Sequence, residues 1–375
     1  MNKTILSAIF MSCIIVAGCE REKKTLNLPN GCSVINVSLN DVVNLSDFAE
    51  SIEIIKLSND SILRDIDQMI VDKNGNIFIK DSRGVALQQY APDGKFIRQI
   101  GKRGKGPGEY ILIDGIDIDR DRIYINDDGK GVVMAYDAEG NHIPNIPIMD
   151  MTYHLDFACK GDTLIKSYAG SYISFDINGR RYQETLNRIN GKFSIHSTHL
   201  SKNIDDGTVY WERYYNDTIF EAVDGNIRPF VYVNFGKLKL PDDIPVNPEI
   251  EQNPEAMAYC RDVSNFKISN DMIAFLFAFK NEGHVCIYNR HNEKTFVYKT
   301  LHNDISDIPI TFPLVRAIQG KKIYFSITPD RIVEICEVLK KSKEKTHQDL
   351  LKKITDTLGE VHEMDNPYIA VVTCK

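Results

Sequence analysis

A short β-rich string entered through a polar turn recurs six times along this chain, and no other feature constrains its fold so tightly. The copies are Gly75-Asn76-Ile77-Phe78-Ile79, Asp121-Arg122-Ile123-Tyr124-Ile125, Gly161-Asp162-Thr163-Leu164-Ile165, Gly207-Thr208-Val209-Tyr210-Trp211, Asn270-Asp271-Met272-Ile273-Ala274 and Lys321-Lys322-Ile323-Tyr324-Phe325. Equivalent positions lie 40–64 residues apart. A second marker keeps the same rhythm: tight turns at Pro92-Asp93-Gly94, Ala138-Glu139-Gly140, Ile177-Asn178-Gly179 and Val223-Asp224-Gly225, with a weaker one at Arg290-His291-Asn292-Glu293. Glycine suits such turns because positive φ costs it nothing sterically. Each unit reads as two hairpins in series. In the first, these are Ile66–Val71 with Ile77–Lys80, then Ala86–Tyr90 with Lys95–Ile100.

Four-stranded units of this length are the blades of β-propellers. A flat sheet of so many strands would expose its edges, whereas radial closure protects them. The expected fold class is therefore all-β: a six-bladed β-propeller over residues 33–375, with a small helical insertion at 329–358 near the C-terminus. The long fourth interval holds Pro241, Pro245, Pro248 and Pro254 and reads as a further insertion. Ser51–Leu57 precedes the first unit without a partner there, while the last unit lacks an outer strand. We expect Ser51–Leu57 to complete the last blade beside Pro367–Val372. Within the 329–358 insertion Thr328 is placed to cap a helix with Pro329 at its first position, and Ile332, Ile335, Cys336 and Leu339 follow at helical spacing. The lysines around 340–345 and 352–353 read as a solvated helix face.

The ends add an address. Lys3 followed by the apolar run Ile5–Ala17 is too short to span a bilayer as a helix, and it stops at Val16-Ala17-Gly18-Cys19. That string looks like a bacterial lipobox, in which the Cys19 thiol receives the lipid. Residues 1–18 are then a lipoprotein signal peptide and 19–32 a polar tether. A lipid would hold the chain to a membrane without a transmembrane helix. Net charge is −7, which opposes nonspecific attraction to nucleic acid, so none is expected as a partner. Of eight cysteines, Cys13 leaves with the signal and Cys19 carries the lipid. The remaining six show no Cys-x-x-Cys pair and read as buried free thiols rather than a disulfide framework or metal site.

The strings Asp72-Lys73-Asn74-Gly75-Asn76-Ile77-Phe78-Ile79, Tyr90-Ala91-Pro92-Asp93-Gly94-Lys95-Phe96-Ile97 and Gly104-Lys105-Gly106-Pro107-Gly108-Glu109-Tyr110 resemble the NHL-like six-bladed propellers. With the lipobox, the helical insertion and the Asp365-Asn366-Pro367 approach to the last strand, the chain is similar to six-bladed β-propeller lipoproteins of Gram-negative gut-type bacteria. The resemblance implies a lipid-anchored location in the cell envelope, at the outer membrane on its periplasmic or surface face. It implies no activity, because propellers include lyases, lactonases and pure binding proteins.

Several strings imitate chemistry. Gly101–Gly108 is glycine-rich and basic but lacks the Gly-Lys-Ser/Thr ending of a phosphate loop, so it reads as a crossover between units. Asp117, Asp119 and Asp121 mimic a calcium loop, yet Arg122 stands where that loop needs glycine, and the hairpin reading wins. His196 and His199 would fall on opposite faces of a strand. Trp211 and Tyr210 read as core. What remains is the mouth of a central channel, where Asp67, Asp114, Tyr153, His154, Asp156, Arg213, Tyr214 and Arg316 are polar or aromatic candidates. Tyr153, His154, Asp156, Arg213, Tyr214 and Arg316 form the candidate ligand site, the alternative being solvated or hydrogen-bonded loop residues. The preferred expectation is a lipid-anchored module that binds a small molecule, glycan, peptide or protein, without cofactor, metal or catalysis. The alternative is a metal-assisted hydrolase or lyase using His154, Asp156 and a further carboxylate at the channel mouth.

Overall fold

A computed structural model describes residues 32–40, 42–81, 86–147, 156–168, 171–176, 181–186, 199–213, 215–223, 226–246, 249–306, 308–310 and 312–375. Residues 1–31, expected to be a signal peptide and all but the last residue of a tether, lie outside these. The fold is an all-β propeller with two α-helices. Five four-stranded sheets and one five-stranded sheet succeed one another along the chain, accompanied by two two-stranded ribbons.

The first sheet is Ile66–Val71, Ile77–Asp81, Leu87–Tyr90 and Phe96–Gln99, each strand antiparallel to the one before it. The second, third, fourth and fifth sheets open with Gly115–Asp119, Asp156–Lys160, His199–Lys202 and Arg261–Ile268. The sixth opens with Phe312–Gln319. These opening strands lie side by side in chain order, and the sixth returns to the first. They form the innermost wall.

Packing between neighbouring sheets follows from strand geometry, because successive side chains point to opposite faces. Ile77 and Ile79 pack toward Tyr324, Ile369 and Val371 of the sixth sheet, whereas Phe78 between them packs toward Ile116 and Ile125 of the second. Trp211 and Val209 face Ala158 and Ile165 of the third sheet, while Tyr210 faces Phe266 and Phe275 of the fifth. Both faces of the second strands are thus buried, which is why they read as nearly unbroken apolar runs. Trp211 is 0% exposed, as expected of a core residue. Cys159, Cys260, Cys286 and Cys374 are buried free thiols, while Cys32 and Cys336 are half-buried.

The two ends of the chain close the ring as the sequence suggested. Ala49–Lys56 is the outermost strand of the sixth sheet, antiparallel to Tyr368–Cys374, with Ile369 opposite Ile55 and Val372 opposite Ile52. The turn at Gly94 rests on this closing strand. Its φ is +85°, and a Cβ there would sit 2.2 Å from the Lys56 carbonyl oxygen. Between the second and third strands of the sixth sheet come helix α1 (Pro329–Lys341) and helix α2 (Lys345–Leu358). Thr328 precedes α1 with extended backbone and Pro329 at the first turn. Ile332, Leu339, Ile354 and Leu358 join the core with Ile327 and Tyr368.

Two features have no turn signal to announce them. Ser33–Asn36 adds in parallel to Asn226–Asn234, giving the fourth sheet its fifth strand. The proline-bearing interval folds into short 3-10 turns around Ile244, Ile250 and Ala256. The glycine-rich segment is a crossover, in which Lys102–Arg103 pairs in parallel with Glu109–Tyr110 and Glu109 accepts from Gly106 N at 2.8 Å.

Candidate functional site

Each opening strand is hydrogen-bonded on one side only, so its inner edge presents unpaired backbone groups, which are costly if buried without partners. The structure meets this with at least one side chain per neighbouring pair of sheets. Gln68 donates to Ile116 O at 2.9 Å and accepts from Ile116 N at 3.0 Å. Asp117 accepts from Cys159 N (2.6 Å), Asp156 from Leu200 N (3.0 Å) and Glu212 from Phe266 N (2.8 Å). Asn265 donates to Val315 O at 3.1 Å, and Gln319 donates to Asp72 O. These bonds link first to second sheet, and so on around to the first again.

The edges so latched surround a central cavity of about 120 Å³, reached by Gln68, Asp117, Lys202, Asn265, Lys267 and Arg316. A wider hollow of about 590 Å³ lies where the opening strands turn, lined by Asp119, Arg120, Asp121 and Asp206. Lys202 and Ile204 line both spaces. Lys202 therefore stands between them, and its ammonium is fully engaged. It reaches Asp119 Oδ1 at 2.8 Å, Asp117 Oδ2 at 3.2 Å and the carbonyls of Ile118 and Cys159 at 2.8 and 2.5 Å. Burial alone would lower the Lys202 pKa, but the two aspartates outweigh it and hold it above the ordinary lysine range. Burial raises Asp117 despite Lys202.

Toward the other end, cations and carboxylates again come in pairs. Lys80 meets Asp67 Oδ2 at 2.7 Å and donates to Asp114 O at 2.8 Å. Lys166 donates to Asn126 Oδ1 at 2.8 Å and meets Asp128 at 3.1 Å. His199 Nδ1 stands 3.8 Å from Asp156 Oδ2. Burial opposes protonation of His199, yet Asp156 and Glu212 raise its pKa overall. Glu212 is buried and its pKa is raised by that burial; one of its oxygens, Oε1, has no hydrogen-bond partner.

Lys267 departs from this pattern. It projects into the cavity from the fifth opening strand and makes no hydrogen bond or ion pair among the described residues. Its side chain is half-buried only because it borders that internal space; the space itself lies deep in the molecule. Burial lowers its pKa, Arg316 adds to the lowering, and Glu212 and Asp156 oppose it without touching.

Of the expected site residues, Arg316 lines the cavity, with Nε donating to Ser326 Oγ at 3.1 Å. Asp156 does not line it. Its two oxygens accept from Phe157 N and Leu200 N, which makes it a latch between sheets. Arg213 does not line the cavity. It follows the second strand of the fourth sheet and lies over the Trp211 and Phe220 rings, 5.6 and 5.3 Å from their centroids. That apolar seat lowers its pKa to about 10. Cys19, Tyr153, His154 and Tyr214 lie outside the described residues. Among the described residues no group of three His, Cys, Asp or Glu side chains is arranged to hold a metal ion, and no helix is long and apolar enough to cross a membrane. Lys202, Lys267 and Glu212 carried no motif in the sequence. Their only signal is position on or beside an opening strand.

No curated protein matches the sequence. Among solved structures, a Bacteroides fragilis NCTC 9343 protein described as exported superposes with TM-score 0.70 at 15% identity, covering 92% of this chain and 99% of that one. A member of the duf4221 family from Bacteroides vulgatus ATCC 8482 gives TM-score 0.51 at 10% identity, covering 87% and 97%. Virginiamycin B lyase from Staphylococcus aureus reaches only 0.45 at 10% identity, covering 86% and 99%, and lends this chain no chemistry. The family described as "Domain of unknown function (DUF4934)" matches residues 32–373. That match spans nearly all of the propeller, and the chain belongs to the DUF4934 family.

Proposed function

We propose that this protein is a ligand-binding module of the cell envelope whose site is the central cavity between the opening strands. The observation that carries this reading is the cavity itself, with amide, carboxylate and ammonium groups converging in its wall, a mixture of the kind that orients a small molecule. The five-stranded sheet counts as a blade like the other five, so the ring is six-bladed. The unbroken cycle of opening strands supports this count. The NHL-like strings at 72–79, 90–97 and 104–110 support placement among the propeller lipoproteins. The lipobox ending at Cys19 supports a lipid anchor, and the exported B. fragilis relative supports an envelope location, at the outer membrane.

The metal-assisted hydrolase or lyase is the weaker reading. Asp156, the carboxylate it requires, has both oxygens committed to backbone N–H groups. A thermal-shift screen of small molecules, glycans and peptides tests the binding reading, followed by a crystal structure with the best hit. Ligand bound among the opening strands is the expected result. Ligand bound only on the outer surface, or no hit at all, overturns it.

A further inference from the structure

We propose that the central cavity is an anion site in which Lys267 and Arg316 grip the carboxylate of a small hydroxylated acid of the sugar-acid kind. This rests on the cavity being the binding site and names what it takes. The molecule supplies its own controls. Lys80, Lys166 and Lys202 each have a carboxylate oxygen within 3.2 Å and carbonyl or amide oxygens besides. Lys267 has neither, although Glu212 and Asp156 are near enough to be felt. Asp156 and one oxygen of Glu212 are turned to backbone N–H groups of adjacent strands, and the other Glu212 oxygen, Oε1, makes no hydrogen bond to Lys267 either. A lysine left unpaired inside a fold costs stability, and the other three show that this fold pairs its lysines where pairing serves structure.

A second cation sharpens the case. Arg316, on the opening strand next to that of Lys267, lines the same cavity and repels its ammonium. Two cations converging on one internal space lower each other's cost when an anion lies between them. The remaining wall limits which anion. Asp67 and Asp117 also border the cavity. They would repel a polyanion but accept hydrogen bonds from hydroxyl groups. A single carboxylate on a hydroxylated body satisfies both halves of the wall, and inorganic phosphate satisfies only the cationic half.

The test uses calorimetric titration of the purified protein with D-glucuronate, D-glucose and inorganic phosphate. Glucuronate is expected to bind at least tenfold more tightly than either of the others. Lys267→Met is expected to weaken glucuronate binding tenfold or more while leaving the melting temperature of the free protein equal or higher, since no carboxylate loses a contact. Arg316→Gln gives the same reading for binding should Lys267→Met fail to fold. Equal affinity for glucose and glucuronate, tighter binding of phosphate, undiminished binding by both variants, or no binding of glucuronate would each overturn the anion site. In any of these cases the cavity remains a binding site if the screen's best hit lies among the opening strands, so the two readings fail separately.

Discussion

Lys202 and Lys267 stand on neighbouring opening strands and border the same cavity, yet their surroundings are opposite. Lys202 has two carboxylates and two carbonyls within 3.2 Å, whereas Lys267 touches none. The first arrangement ties three sheets together, because Asp117 and Asp119 belong to the second, the Cys159 carbonyl to the third and Lys202 to the fourth. The second ties nothing. The difference separates a charge that holds the fold from a charge held available by it.

The largest effect that would sharpen this contrast is at Lys202. Lys202→Met leaves Asp117 and Asp119 buried and uncompensated, and should cost about 3–5 kcal/mol in urea denaturation. A loss below about 1 kcal/mol would break the comparison. Next comes Asp217, an acidic counterpart of Lys267 in an outer pocket beside Lys239 and Asp242. Its carboxylate makes no hydrogen bond or ion pair among the described residues, and burial pushes its pKa up to about 6. A raised carboxylate pKa means that the folded state holds the proton more firmly than the unfolded one. The cost of ionising it is absent below pH 4, grows between pH 4 and 6 and is complete above that. Asp217→Asn should therefore stabilise the protein by about 2–3 kcal/mol at pH 8 and by almost nothing at pH 4. A pH-independent gain would refute the titration.

Smaller effects follow at the latches and at the free amine. Gln68→Ala removes both hydrogen bonds to Ile116 and should cost about 1–2 kcal/mol, read from the denaturation midpoint. An unchanged midpoint would mean that the inner edges need no side-chain partners. Lys267→Met should raise stability by about 1 kcal/mol in the same experiment. Destabilisation there would place Lys267 with Lys202 and erase the contrast.

The architecture was legible in the residues because turns and strands leave local marks. The Asn-Gly and Asp-Gly turns, the apolar second strands and the two orphan terminal strands predicted the sheets and their closure. The channel wall was not legible, and the fifth opening strand shows why. Arg261–Ile268 slips register twice against Met272–Phe279, with positive φ at Asp262 and Asn265. Bulges of this kind re-aim side chains, so counting in twos from Arg261 cannot say that Lys267 meets the cavity. Arg213 lies off the cavity for a different reason. It follows a second strand, and the ring faces of Trp211 and Phe220 offered it a seat away from the axis. Ser33–Asn36 had no signal because parallel addition to a distant strand needs no turn.

The seam between Ala49–Lys56 and Tyr368–Cys374 sets a timetable for the growing polypeptide. The first of these strands leaves the ribosome long before the second and has no mate until it follows, so its edge stays open in the meantime. The cylinder can shut only after Tyr368–Cys374 has emerged. A product cut short before Tyr368 would leave Ala49–Lys56 without a mate and the sixth sheet as a two-stranded hairpin.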